Sequence, residues 1–205
     1  GIEPVSVWWL PAYHDMGLIG GILGAVHNEG RLILMSPTSF LKRPLSWLRA
    51  MSDYRATVSG APNFAYSLCV SKTTPEERAA LDLSDWRLAF CGAEPIRAET
   101  LKRFAEAFEP AGFREDAFSP CYGLAEATLL VTGGDGPQRP LVKRVDRTAL
   151  AEHRVVEADD RADQTSQALV GCGTPWLGQE IAIVDVDTRR RLPEHQVGEI
   201  WVRGP

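Results

Sequence analysis

The stretch WRLAFCGAEPIRAETLKRFAEAF, Trp86 to Phe108, decides the fold. Trp86 to Phe90 is a short apolar run, the signature of a buried strand, and it runs into the turn Cys91-Gly92-Ala93-Glu94-Pro95. After Pro95, Leu101, Phe104, Ala105 and Phe108 fall at i, i+3, i+4 and i+7, which predicts a helix with one apolar face. Pro110 and Gly112 end it. The same strand, turn and helix unit recurs upstream. Val5 to Leu10 is a strand stopped by Pro11, and a loop to Asp15 leads into a glycine-rich helix from Met16 to Val26. Arg31 to Met35 reads as a second buried strand, Ser39 to Arg43 as a loop, and Pro44 as the first turn of a helix through Leu45, Leu48 and Met51. Ala56 to Ser59 is a third strand, broken by Gly60-Ala61-Pro62, before a helix around Phe64 to Val70. Strands alternating with helices to about residue 120 predict an α/β layered domain with a largely parallel sheet. In such sheets ligands bind where the loops gather, at the carboxyl ends of the strands.

The texture changes near residue 130. Gly133 to Pro137 is a loop, and the segment to Gln167 is charged, without sustained periodicity. From Leu169 the pattern is β: Glu180 to Asp185, a polar turn from Arg189 to His195, then Gly198 to Val202. This predicts a hairpin opening a small β-barrel or sheet. The expected divisions are 1–130, 131–168 and 169–205. The chain opens on Gly1 and closes on Gly204-Pro205 just after a strand-like run, so both ends read as cut.

Composition narrows the function classes. The 205 residues carry a net charge of −5, which offers no basic face to a nucleic-acid backbone and disfavours anionic membranes. Cys69, Cys91, Cys121 and Cys172 are far apart, with no CxxC pair, which argues against a zinc site or disulfide framework and for a reducing, cytoplasmic setting. The apolar run Met16 to Val26 is about half the roughly 20 residues of a bilayer span, so it predicts a buried helix. Its glycines, Gly17, Gly20, Gly21 and Gly24, make a smooth face for close backbone packing.

Three polar clusters stand at strand-to-helix or strand-end turns. His14 and Asp15 precede the glycine-rich helix and could meet a carboxylate or phosphate; the plainer reading is a helix cap and a solvated imidazole. Gly92-Ala93-Glu94 could let a flat ring lie on bare backbone, or simply turn the chain. Tyr122-Gly123-Leu124-Ala125-Glu126 offers an aromatic to stack on a base and a carboxylate for Mg²⁺ beside phosphates, a weak signal by spacing alone. Ser39-Phe40-Leu41-Lys42 matches S-x-x-K, but the companion S-D-N and K-T-G motifs are absent, so a serine nucleophile is not expected. Neither G-x-x-x-x-G-K-[ST] nor G-x-G-x-x-G occurs.

Taken in order, five segments resemble the adenylate-forming superfamily of acyl-CoA synthetases, luciferases and peptide-synthetase adenylation domains. Within it the chain is most similar to fatty acyl-AMP ligases. The segments are LPAYHDMGLIGG (residues 10–21), SPTSFLKRP (36–44), APNFAY (61–66), GAEP (92–95) and YGLAEAT (122–128), and GEIWVRG (198–204) looks like the superfamily's barrel motif. The resemblance implies ATP-dependent activation of a fatty acid to acyl-adenylate, with Mg²⁺, and transfer to an acyl carrier protein or polyketide synthase. It implies that Gly92, Ala93 and Glu94 line the adenine pocket and that Tyr122 stacks on the ring. Gly123, Leu124 and Ala125 would run beside the α-phosphate, with Ala125 where most of the superfamily has threonine. Glu126 would hold Mg²⁺, His14 would sit near the acyl carboxylate, and Asn63 and Phe64 would border the acyl tunnel. Residues 129–169 correspond to an insertion that acyl-AMP ligases carry, thought to hinder the coenzyme A reaction. The superfamily's phosphate loop, ribose-binding aspartate and lysine-bearing terminal domain are absent, so the chain alone is expected to be inactive. A long-chain acyl-CoA synthetase and a non-catalytic domain that binds acyl chains or carrier proteins remain the alternatives.

Overall fold

The computed structural model describes residues 4–134, 136, 138–159 and 165–204. Parts of the loop expected at 133–137, namely Asp135 and Pro137, lie outside them, as do both chain ends. In chain order the first half runs β1 (Val5–Trp8), a π-helix (Met16–Leu23) continued by α1 (Gly24–His27), β2 (Arg31–Leu34), α2 (Pro37–Lys42) and α3 (Leu45–Asp53). Then come β3 (Val58–Ala61), α4 (Asn63–Ser71), α5 (Pro75–Ala79), β4 (Leu88–Cys91), α6 (Ala98–Phe108) and β5 (Phe118–Pro120). The strands form one five-stranded sheet in the order β2-β1-β3-β4-β5, every pair parallel. The layered α/β architecture is the expected one.

Strand alternation sorts side chains between two layers. Val7, Trp9, Ala61, Ala89 and Cys91 enter an aromatic core beneath α3, α4 and α6. There Trp47 and Trp86 meet at 5.3 Å and 73°, and Phe104 meets Tyr66 and Phe113 edge-on. The polar ends of Trp47 and Tyr66 are satisfied, whereas the buried Trp9 Nε1 has no hydrogen-bond partner among the described residues. Trp47 Nε1 donates to Ser59 Oγ at 2.9 Å, and Tyr66 Oη donates to the Phe90 carbonyl at 2.6 Å. Ser6, Trp8, Val58, Leu88, Phe90 and Gly92 have the other parity and face the opposite layer.

Four local expectations are corrected. Residues 39–42 are not loop but part of α2, because Ser36 caps it, accepting from Thr38 N at 3.3 Å, and Pro37 sits in its first turn. The Ser39 and Lys42 of the S-x-x-K match are therefore helical, while Phe40 between them is fully buried against Trp9. β3 continues through Gly60 and Ala61, since a Cβ on Gly60 would stand 2.6 Å from the Phe90 Cβ: the glycine permits the close strand approach. β2 is a sheet edge, so Leu34 is exposed rather than buried. The glycine-rich helix is not enclosed either. Leu18, Leu23 and Val26 are exposed, and only one side of it lies on the sheet layer.

Two elements of this first half have no counterpart in the sequence reading, and neither do the strands and helix that the structure forms between residues 130 and 168. β5 is three residues long. α5 carries a capping box, with Thr74 Oγ1 accepting from Glu77 N at 3.2 Å and Glu77 Oε2 accepting from Thr74 N at 3.1 Å. Thr74→Ala is expected to lower the unfolding free energy by about 1 kcal/mol, measurable by urea denaturation.

The second half forms small antiparallel sheets. β6 (Tyr122–Gly123), β7 (Leu130–Gly133) and β10 (Thr174–Pro175) make one, in the order β10-β7-β6. β8 (Val142–Asp146) pairs with β9 (Ser166–Val170), and α7 (Arg147–Ala151) follows β8 under an Asp146 cap. β11 (Glu180–Val184) pairs with β12 (Glu199–Arg203), the expected hairpin. Val155 N donates to the His195 carbonyl at 2.8 Å and Val197 N to that of His153 at 2.9 Å, strapping residues 153–155 to the approach to β12. Among the described residues no helix is long and apolar enough to cross a membrane.

Candidate functional site

A cavity of about 530 Å³ lies over the sheet face turned away from the aromatic core. That is the usual size for a small-molecule site. Its floor is made by alternate residues of β1, β3 and β4, and its roof by the π-helix and α1 through Met16, Gly20, Gly24 and Ala25. One end opens at the carboxyl ends of the strands, where Gly92, Ala93, Cys121, Tyr122 and Gly123 meet His14 and Asp15.

Bare main chain shapes that end. A Cβ on Gly92 would stand 2.8 Å from Cys121 Sγ and 3.0 Å from its carbonyl oxygen. Ala93 follows in the left-handed region, at φ 64°, a conformation that turns are built to hold. Half-buried Tyr122 leads from the sheet into Gly123, where β6 turns back toward β7 across an irregular register. His14 Nδ1 lies 2.7 Å from Asp15 Oδ1 and 3.1 Å from Met16 N. The Met16 N–H is shared, donating to Asp15 Oδ1 at 2.7 Å and to His14 Nδ1 at 3.1 Å. Burial holds the Cys121 thiol up at about 12 and raises Cys91 as well, so neither offers a thiolate nucleophile at neutral pH.

Of the residues singled out in the sequence, His14, Gly92, Ala93, Tyr122 and Gly123 share this cavity. Glu94 and Asn63 do not line it; they tie the turn to α4. Glu94 Oε1 accepts from Phe64 N at 2.5 Å, and Asn63 Oδ1 accepts from Arg97 N at 3.0 Å. Phe64 packs edge-on to Trp9, which belongs to the other face of β1, and remains partly exposed. Leu124 and Glu126 line a neighbouring cavity of about 590 Å³ with Trp176, Leu177 and Gln179. Gly20, Gly24, Leu129 and Leu130 line both cavities and form the wall between them. Ala125 lies on the exposed 3-10 turn Ala125–Ala127 and lines neither. Trp8, Met16 and Phe90 also line the first cavity without having been flagged. Strand parity was the available signal: Trp8 and Phe90 lie on the face opposite Val7 and Ala89.

At the mouth of the first cavity Gly92 and Gly123 let chain segments pack closely, because a Cβ on either would run into Cys121 or the Leu129 carbonyl. Among the described residues no cluster of three His, Cys, Asp or Glu could cage a metal. A lone exposed carboxylate such as Glu126 instead suits Mg²⁺ that arrives with phosphates. A family model described as AMP-binding enzyme matches residues 2–205. The chain belongs to that family. Among similar AMP-binding enzymes is the medium-chain-fatty-acid–[acyl-carrier-protein] ligase JamA of Moorena producens (strain JHB), 44% identical over 204 residues, covering 99% of this chain and 34% of that protein. The corresponding ligase TtuA of Teredinibacter turnerae is 39% identical, over 96% of this chain and 30% of its own length. A crystal structure of the fatty acyl-adenylate ligase from L. pneumophila, in complex with acyl adenylate and pyrophosphate, superposes with a TM-score of 0.93 at 48% identity, covering 100% of this chain and 35% of that one. The chain thus spans about a third of the length of these AMP-binding relatives.

Proposed function

We propose that this chain is part of an enzyme that activates a fatty acid as its acyl-adenylate and passes the acyl group to a carrier protein. One observation carries the reading: a cavity mouth lined by His14, Gly92, Ala93, Tyr122 and Gly123 continues into an otherwise largely apolar slot. An adenylate fits the mouth and an alkyl chain fits the slot. In the reaction a carboxylate oxygen attacks the α-phosphorus of ATP, and the bond to pyrophosphate breaks with the electron pair leaving on pyrophosphate. A phosphopantetheine thiol then attacks the acyl carbon and releases AMP.

Both first-step reactants are anions, so the site must align them and offset their charge. Tyr122 would stack on adenine, with Gly92 and Ala93 beneath it and Glu94 at its edge. Gly123, Leu124 and Ala125 would follow the α-phosphate. His14 would hold the acyl carboxylate. Mg²⁺ bound with the phosphates would supply positive charge, and Glu126 would anchor it. The scattered cysteines, with no CxxC pair, suit a reducing, cytoplasmic enzyme.

The full-length protein is expected to exchange pyrophosphate into ATP only when a fatty acid is present, and to load a carrier protein in preference to coenzyme A. The 205-residue chain by itself is expected to release no pyrophosphate from ATP and laurate above its own Glu126→Ala variant. Acid-independent exchange in the full-length protein would overturn the reading.

A further inference from the structure

Helix α4 starts without a local cap. Pro62 holds its N-cap position and offers no side-chain acceptor, so the first main-chain N–H groups must be met from elsewhere. Glu94, 30 residues further along the chain, meets one of them: its Oε1 accepts from Phe64 N at 2.5 Å. A carboxylate at a helix N-terminus is also favoured by the helix dipole. The exchange runs the other way too. Asn63, the first residue of α4, uses its Oδ1 to accept from Arg97 N at 3.0 Å, at the N-cap of α6. A third tie joins Tyr66 Oη to the Phe90 carbonyl at 2.6 Å. Helix α4 therefore grips the segment 90–97 at Phe90, Glu94 and Arg97.

These ties bracket the turn from Gly92 to Pro95. From β5, Cys121 N donates to the Cys91 carbonyl at 2.8 Å and holds the start of the same turn. Within it Ala93 sits in left-handed backbone at φ 64°, a conformation that persists only where the surroundings impose it. Gly92 and Ala93 line the first cavity, whereas Asn63, Phe64 and Tyr66 do not. Asn63 is also buried, at 7% exposure, with its amide oxygen on main chain. We infer that Asn63 is a positioning residue for the nucleotide: by holding Arg97 N it fixes the turn whose main chain meets the adenine. This rests on the acyl-adenylate reading, and it gives Asn63 a role on the nucleotide side in place of the acyl side expected from the sequence. The turn would touch the base and not the reacting phosphorus. Loosening it should weaken ATP binding equally before and during the reaction, which raises KM and leaves kcat alone.

The test uses the full-length protein with ATP, Mg²⁺ and laurate, reading kcat and both KM values from pyrophosphate release. Asn63→Ala removes the acceptor and should raise the KM for ATP about three- to tenfold, the worth of one hydrogen bond. Its kcat and its KM for laurate should stay within about twofold of wild type. Asn63→Asp keeps an acceptor oxygen and should restore the KM for ATP. If Asn63→Ala yields no folded protein, Asn63→Leu, of similar volume, is measured instead. A role in stability alone would shrink the active fraction, lowering kcat while both KM values hold. That result overturns the positioning role, as does a KM for ATP raised equally in Asn63→Asp. A rise in the KM for laurate alone overturns it too and returns Asn63 to the acyl side. In all three cases acyl activation stands. A wild-type protein that releases pyrophosphate with no fatty acid overturns acyl activation, and the positioning role with it.

Discussion

Gly123→Ala is expected to lower the melting temperature of the chain by roughly 6–12 °C, the equivalent of about 3 kcal/mol in a domain of this size. A Cβ built on Gly123 would stand 1.7 Å from the Leu129 carbonyl oxygen and 2.8 Å from its carbonyl carbon. Both are backbone atoms, so no side-chain rotation relieves the clash. Either β6 must part from β7 or the turn between them must shift. That turn carries Glu126 and ends at Thr128, which already holds φ 69°. Two other glycines calibrate the result. Gly171→Ala meets only ordinary contacts of 3.5 Å and beyond, from Leu141, and is expected to be near neutral. Gly178→Ala has open space but φ 77°, and isolates the backbone strain, about 1 kcal/mol. Thermal unfolding of the three variants beside wild type checks the order. Gly123→Ala melting together with Gly171→Ala would refute it.

Glu126→Gln in the full-length protein is expected to cut the rate of acyl-adenylate formation by about 10²-fold or more, the scale of removing one aligned charge-stabilising group. Glu126 is exposed, and among the described residues its carboxylate makes no hydrogen bond or ion pair. The substitution should therefore leave the melting temperature where it was. That separation makes the result informative, because an activity loss without a stability loss belongs to chemistry. Raising Mg²⁺ should recover part of the rate if the carboxylate anchors the ion. An unchanged rate at limiting Mg²⁺ would remove Glu126 from the mechanism.

The strands were legible because parallel strands buried on both faces leave continuous apolar runs, as in Val5 to Trp9 and Leu88 to Cys91. What the runs hide is tertiary. β2 has the same apolar composition as β1 but lies at the edge of the sheet, a fact set by chain order in space. Gly60 reads as a break in isolation; it is a strand residue only because Phe90 comes against it from β4. Thr74 and Glu77 did carry a local signal, the capping box, which could have revealed α5. For the site, the clusters at strand ends were visible, whereas their division between two cavities was not. Glu94 and Asn63 each hold a main-chain N–H of a neighbouring segment, a tie that the sequence did not reveal. Spacing places a residue near a loop. It does not say whether a backbone donor has already claimed it.

The position of β1 between β2 and β3 also has a meaning in time. Its first partner, β2, follows within about one helical hairpin, but Val5 and Thr57, which join β1 to the start of β3, are 52 residues apart. While the ribosome is still making that interval, one long side of β1 stays unpaired. Such an open flank is where a nascent chain can pair with a neighbour, so crowding of nascent chains should affect yield most before Val58 emerges.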